Sequence, residues 1–225
     1  MAISDLLGHK TAAAGLAVSL CLAGCAGNAP ALVSRSFTPL TGPPVTYLLV
    51  QDDAVTIKGP PGYCIDATST RDRSDGVFVM LGDCARLYSS GTESPEISAV
   101  LTALVSGPSD QEQRPSPAQL ERFFRSEAGR AALSLDGDAA TVAIDQTRVA
   151  GDALLFLMRD ASDARPEGLS DRSWRAVLTL RNRLVSLAVT AHLEEPLEDR
   201  DARRLLEQFV TSMRDANSNG GPKAE

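Results

Sequence analysis

Residues 173–180 and 184–190 constrain this chain more than any other part of it. They read Ser-Trp-Arg-Ala-Val-Leu-Thr-Leu and Leu-Val-Ser-Leu-Ala-Val-Thr, and only Arg181, Asn182 and Arg183 separate them. Two long β-rich runs with so short a connection form an antiparallel hairpin. A helix then runs from about Glu198 to Asn217. Its apolar residues Ala202, Leu205, Leu206, Phe209, Val210 and Met213 fall at i, i+3, i+4, i+7, i+8 and i+11, a single amphipathic stripe. Asp199 and Asp201 near its start and Arg214 near its end follow the order the helix dipole favours. A hairpin followed by a helix that packs on it makes the fold class α+β: an antiparallel β-sheet, a packed C-terminal amphipathic helix and one internal helix, in a single domain over 45–217.

The chain ahead of this unit reads mostly as strands. Residues 45–50 and 54–58 flank Asp52-Asp53 as a short hairpin, stopped by Gly59-Pro60-Pro61-Gly62. Tyr63-Cys64-Ile65-Asp66 is a further strand, followed by a polar loop over 67–76. The unbroken apolar run 77–81 predicts a strand buried on both faces. Residues 96–106 suit a helical face or a strand; Val100, Thr102 and Val105 favour the strand. The internal helix starts at Ser116, with Pro117 at its first position and Gln119 completing a capping box. Leu120, Phe123 and Phe124 form its stripe, and Gly129 is expected to end it. Strands are expected over 131–135, with a hairpin turn at Asp136-Gly137, then over 141–145 and 154–158.

The N-terminal segment is of another kind. One cation, Lys10, precedes the apolar run from Thr11 to Leu22, which is too short to cross a hydrocarbon layer of roughly 30 Å. It suits the core of a secretory signal, and it ends in Leu22-Ala23-Gly24-Cys25. That ending resembles the lipobox of bacterial lipoproteins. The resemblance implies a signal peptide over 1–24, a diacylglyceryl thioether on Cys25, a palmitate-type anchor and a periplasm-facing place in the cell envelope. Ala26, rather than Asp, follows the cysteine, which by analogy favours the outer membrane. Residues 25–44, with Pro30, Pro39, Pro43 and Pro44, read as a flexible tether, and 218–225 as a disordered tail.

Of four cysteines, Cys21 leaves with the signal and Cys25 takes the lipid. Cys64 and Cys84 remain, one pair in a compartment that permits disulfides. No CxxC spacing and no neighbouring His points to a metal or redox pair instead.

A net charge of −7 argues against nucleic acid and against an anionic bilayer as partners, so membrane attachment falls to the lipid. No catalytic signature is present. His192 is the one histidine after Cys25, at a strand end before Glu194-Glu195-Pro196; it is the only base a hydrolase would have, and a strand-end surface role is the plainer reading. Neither HExxH nor a glycine-rich phosphate loop occurs, so no cofactor or metal is expected. Trp174 reads as a core anchor. Arg172, Arg175, Arg181 and Arg183 are the only local basic excess, either a candidate interaction surface for an anionic partner or the solvated face of an exposed hairpin.

The order of elements over residues 45–217 is similar to that of the Mog1/PsbP-like proteins. Pro60-Pro61-Gly62-Tyr63 resembles that family's entry into a strand, and 174–217 its hairpin followed by a terminal helix. The resemblance implies a fold and brings no catalytic residue with it. The expectation is therefore a lipid-anchored envelope protein serving as a non-enzymatic interaction or assembly module, with a small-ligand-binding lipoprotein as the alternative.

Overall fold

The computed structural model describes residues 39–52, 54–73, 76–90, 94–107 and 114–218. The signal, Cys25, the first part of the tether and the tail beyond Ser218 lie outside the described residues. In chain order the elements are β1 (Tyr47–Val50), β2 (Val55–Lys58), β3 (Tyr63–Arg73), β4 (Gly76–Asp83), a single turn α1 (Cys84–Leu87) and β5 (Val100–Ser106). After them come α2 (Pro117–Arg125), α3 (Glu127–Leu133), β6 (Val142–Ala150), β7 (Ala153–Asp160), β8 (Leu169–Leu180), β9 (Arg183–His192) and α4 (Asp199–Asn217). Strands β3 to β9 form a seven-stranded antiparallel sheet in the order β3-β4-β5-β9-β8-β7-β6, while β1 and β2 pair separately. The α+β class read from the chain is the one observed.

The β8–β9 hairpin turns at Arg181 and Asn182, both at positive φ (49° and 59°). A turn with two left-handed residues carries the twist that flanking strands need, and asparagine tolerates that conformation well. Pairing then runs from Leu180↔Arg183 to Ser173↔Thr190. Residues 96–106 form a strand over Val100–Ser106, and β5 joins β4 on one side to β9 on the other.

One face of the sheet packs on α4. Leu155 and Leu157 of β7, Trp174, Ala176 and Leu178 of β8, and Val185, Leu187 and Val189 of β9 share a core with Leu205, Leu206, Phe209, Val210 and Met213 of the helix. Burying each such side chain stabilises the fold by about 1.5–3 kcal/mol. The β1–β2 pair is fastened to the far end of α4 by one amide. Asn217 Oδ1 accepts from Thr56 N (2.9 Å) and its Nδ2 donates to Thr56 O (2.7 Å), so both backbone groups of an edge residue are satisfied.

Helices α2 and α3 cover only part of the other face. Leu120, Phe124 and Leu133 pack on Val142, Leu154, Phe156, Met158 and Val177, from β6, β7 and β8. β7 is thus buried on both sides. The expectation of double burial for 77–81 is corrected: Val77, Val79 and Leu81 are buried, but Phe78 and Met80 are only partly so. Their hydrophobicity matched a two-sided strand, yet among the described residues α2 and α3 pack on β6, β7 and β8 and leave Phe78 and Met80 unroofed.

Three further expectations are corrected. Residues 131–135 are not a strand, because Ala131, Ala132 and Leu133 end α3. Ser126 serves both helices, donating to Phe123 O (2.6 Å) and accepting from Gly129 N (3.2 Å), and Glu127 fills the favourable first turn of α3. Gly129 does not end α2; it lies inside α3 where the two helices touch. A Cβ there would sit 1.9 Å from Phe123 O, so only glycine permits the approach. Asp136-Gly137 is accordingly no hairpin turn but part of the link to a 3₁₀ turn (Ala139–Thr141), capped by Asp138 accepting from Ala140 N (2.8 Å).

The loop expected over 67–76 is mostly strand, since β3 runs on to Arg73 after a register shift between Asp66 and Arg71. Asp66 causes the break: its carboxylate accepts from Thr68 N (2.9 Å), Thr68 Oγ1 (2.6 Å) and Ser69 Oγ (2.5 Å), which folds the strand into a bulge. Burial opposes its charge, but these bonds outweigh burial and hold the carboxyl below its usual range. Cys64 and Cys84 form a disulfide (Cα–Cα 4.9 Å) closing one end of the β3–β4 hairpin. Leu40, within the stretch read as tether, and Val45 pack against that bridge, and Leu40 N donates to Leu87 O (2.6 Å).

Candidate interaction face

The sheet face opposite α4 divides into a covered half and an open half. Cross-strand register lays the open half out in rows. One row runs Met80, Thr102, Ala188, Arg175 and then Phe156; the next runs Phe78, Leu104, Ser186 and Val177. Leu104 is 50% exposed although β5 is paired on both sides, so its exposure reflects the face of the sheet, which no described element roofs there, and not a sheet edge. Phe78, Met80, Val100 and Thr102 around it are partly buried. The β9 positions Ser186, Ala188 and Thr190 carry small side chains, leaving the surface low there.

Helix α2 walls this region. One flank of the helix is held to β6, where Glu121 Oε1 accepts from Thr147 Oγ1 (2.7 Å) and Arg125 Nε (3.2 Å). Helical spacing puts Phe123 on the opposite flank, toward the open half, and its ring is 47% exposed. Its edge rests on Phe124 (centroids 5.2 Å), which packs on Phe156 (5.3 Å). A fixed aromatic side chain thus borders the uncovered strands.

Arg175 sits at the boundary between the halves. Neighbouring Trp174 and Ala176 point to α4, so Arg175 points the other way, across from Phe156 and Ala188. It is partly buried, its Nε has no acceptor, and among the described residues it forms no hydrogen bond or ion pair. Burial pushes its pKa down, and only the charge of Asp160 works against that. Asp160 is occupied elsewhere, accepting from Leu135 N and Ser162 N (both 2.9 Å).

The other three arginines are not brought to this face. Arg172 reaches Asp199 Oδ2 at the start of α4 (2.8 Å). Arg181 donates to Ser218 O just past the other end of α4 (3.3 Å). Arg183 lies opposite Leu180, on the α4 side. Alternation along the strands separates residues that are adjacent in sequence, so the basic excess is spread over two faces and a turn.

His192 ends β9 and lines a cavity of about 200 Å³ at the start of α4, together with Ser170, Arg172, Ser173, Trp174 and Asp199. Serine, histidine and aspartate meet there, but among the described residues His192 side-chain atoms make no hydrogen bond and Asp199 is engaged by Arg172. No nucleophile–base relay is set up. Trp174 is a core residue, 3% exposed, with an indole N–H that finds no acceptor. Cys64 and Cys84 are bonded to each other and buried, so neither offers a free thiolate to a metal. Among the described residues no cluster of three or more His, Cys, Asp and Glu side chains is placed to hold a metal, and no helix is long and apolar enough to cross a membrane.

Compared with protein-family models, curated proteins and solved structures, the chain matches none of them. The open half-sheet had one trace in the sequence: Val100, Thr102 and Leu104 alternate with the buried Leu101, Ala103 and Val105, a mixed outer face on a strand that proves to be interior.

Proposed function

We propose that this is a lipid-anchored cell-envelope protein, held at the membrane through Cys25, whose α+β domain acts as a non-enzymatic interaction or assembly module. The observation that carries the reading is the half-exposed Leu104 on an interior strand, beside the partly buried Phe78 and Met80 of β4. Contiguous apolar surface of this kind is costly in water and marks places where proteins meet others.

The test places a photo-crosslinking residue at Leu104 in the full chain, in intact cells, with the same residue at exposed Thr211 on α4 as control. One reproducible envelope protein captured from 104 and not from 211 is the expected result; identical capture at both positions, or none, overturns the module. The anchor is tested separately. Cys25→Ala is expected to abolish palmitate labelling and to move the protein from the membrane to the soluble fraction; unchanged labelling and partition would defeat the lipoprotein reading.

A second reading, a small-ligand-binding lipoprotein, is favoured by one observation: the cavity of about 200 Å³ between β8, β9 and the start of α4, lined by Trp174 and Arg172. Native mass spectrometry that finds a co-purified small molecule, lost on filling the cavity with Ala202→Phe, would support it over the first.

A further inference from the structure

We infer that the partner of the open half-sheet is a protein segment presenting one carboxylate, from Asp or Glu, among apolar side chains, and that this carboxylate pairs with Arg175. The inference rests on the docking role proposed for that face and adds the chemistry of what docks.

Among the described residues Arg175 is a guanidinium with nothing to bind. Its Nε is shielded from water without an acceptor, and no carboxylate among the described residues lies within ion-pair distance. Among the described residues, the other charges that register places on this face lie away from Arg175: Asp66 and Arg71 are on β3, four strands across, and Asp160, near the end of β7, is held by Leu135 N and Ser162 N. The rows around it hold Met80, Thr102, Ala188, Phe78, Leu104, Ser186 and Val177. A guanidinium presents donors in a planar fork that matches a carboxylate bidentately, and such pairs strengthen as water is excluded. Covering the open half with an apolar segment would exclude that water, so the cation requires its counter-charge from the segment that covers it.

The number of charges selects the class of partner. Arg175 is four strands from Arg71, the other described cation that register places on this face, and a lone guanidinium matches a single negative charge. A phosphate monoester, with nearly two, is ordinarily met by clustered arginines, and a nucleic acid by many cations. An anionic bilayer is repelled by a chain of net charge −7. A carboxylate side chain fits what the face offers.

The register also sets a distance. Leu104 lies two strands across from β8 and two residues along from the row of Arg175. With about 4.8 Å between strands and about 3.4 Å per residue, the two positions are about 12 Å apart. The docking segment therefore carries its acidic residue about 12 Å from the apolar group seated at Leu104.

The experiment uses the full chain in intact cells, with the crosslinking residue at Leu104 and Arg175 kept or replaced. Capture of the partner is expected to fall at least about tenfold in Arg175→Met, which keeps length and apolar packing but removes the charge, and to fall less in Arg175→Lys. The thermal midpoint of the purified Arg175→Met chain is expected to hold or rise, because an unpaired, partly buried charge has been removed. A lowered midpoint would make Arg175 a structural residue and overturn the inference. Sequencing the captured peptide is expected to find an Asp or Glu whose change to Asn or Gln lowers capture equally, with no further loss when combined with Arg175→Met. Capture indifferent to Arg175→Met overturns the inference while leaving the docking face standing, whereas no capture with Arg175 intact removes the docking face itself. A phosphopeptide or a lipid as the captured species overturns the carboxylate assignment.

Discussion

Phe209→Ala is expected to lower the unfolding free energy by about 4 kcal/mol, read from the urea midpoint of the purified chain. Phe209 is fully buried in α4 and shares the main core with β5, β7, β8 and β9. Truncating such a ring loses its transfer free energy and leaves a cavity that a sheet on one side and a helix on the other cannot close, together about 3–5 kcal/mol. Against a typical domain stability of about 5–15 kcal/mol, that is a large share. Phe123→Ala is the matched control. Its ring is 47% exposed on α2, so the same chemical change is expected to cost about 1 kcal/mol or less. Equal losses at the two positions would mean that α4 is not the second layer of the core.

Replacing Cys64 and Cys84 together by alanine is expected to cost about 3 kcal/mol, with the wild-type chain falling to the same level under reductant. The bond links residues 20 apart, and in the chain-entropy account closing a loop of that size removes about 3 kcal/mol of conformational freedom from the unfolded state. The bridged ends are already held by Tyr63↔Asp83 and Cys64↔Gly82 pairing, so the folded hairpin is expected to persist without the bond. The slope of unfolding against urea should therefore rise in the double variant, because its unfolded chain exposes more surface. A lost midpoint with an unchanged slope would place the effect in the folded state, through Leu87, Tyr88 and Leu40 packed around the bridge.

Legibility in the sequence followed the range of the interaction concerned. The capping box at Ser116 joins residues three apart, and it is present with both of its bonds, Gln119 N to Ser116 Oγ and Ser116 N to Gln119 Oε1. The α4 stripe and the β8–β9 hairpin also depend on near neighbours, and each formed where its pattern lay. The errors arose where a local pattern was ambiguous. The segment Glu-Ala-Gly-Arg-Ala-Ala-Leu is helical because Ser126 restarts the helix at a point where Gly129 lets α3 touch α2. Read alone, the glycine looked like a stop. The strand beyond Asp66 was hidden because its polar residues follow a side-chain bulge that no hydrophobic alternation announces.

By itself the sequence determined the α+β class, the hairpin with its terminal helix and the pairing of Cys64 with Cys84. These depend on periodicity, turn length and cysteine count, which are properties of neighbours along the chain. Only the tertiary structure decided which strands lie beneath α2 and α3 and which stay open. Residues 77–81 and 154–158 are equally apolar runs, yet β7 is roofed and β4 is not, because the link from β5 through α2 and α3 to β6 lays its helices over β6, β7 and part of β8. The same placement separated Arg175 from Arg172, Arg181 and Arg183. Of those four it left Arg175 facing the open half-sheet, a consequence of which face each residue takes, and spacing along the chain does not encode what covers that face.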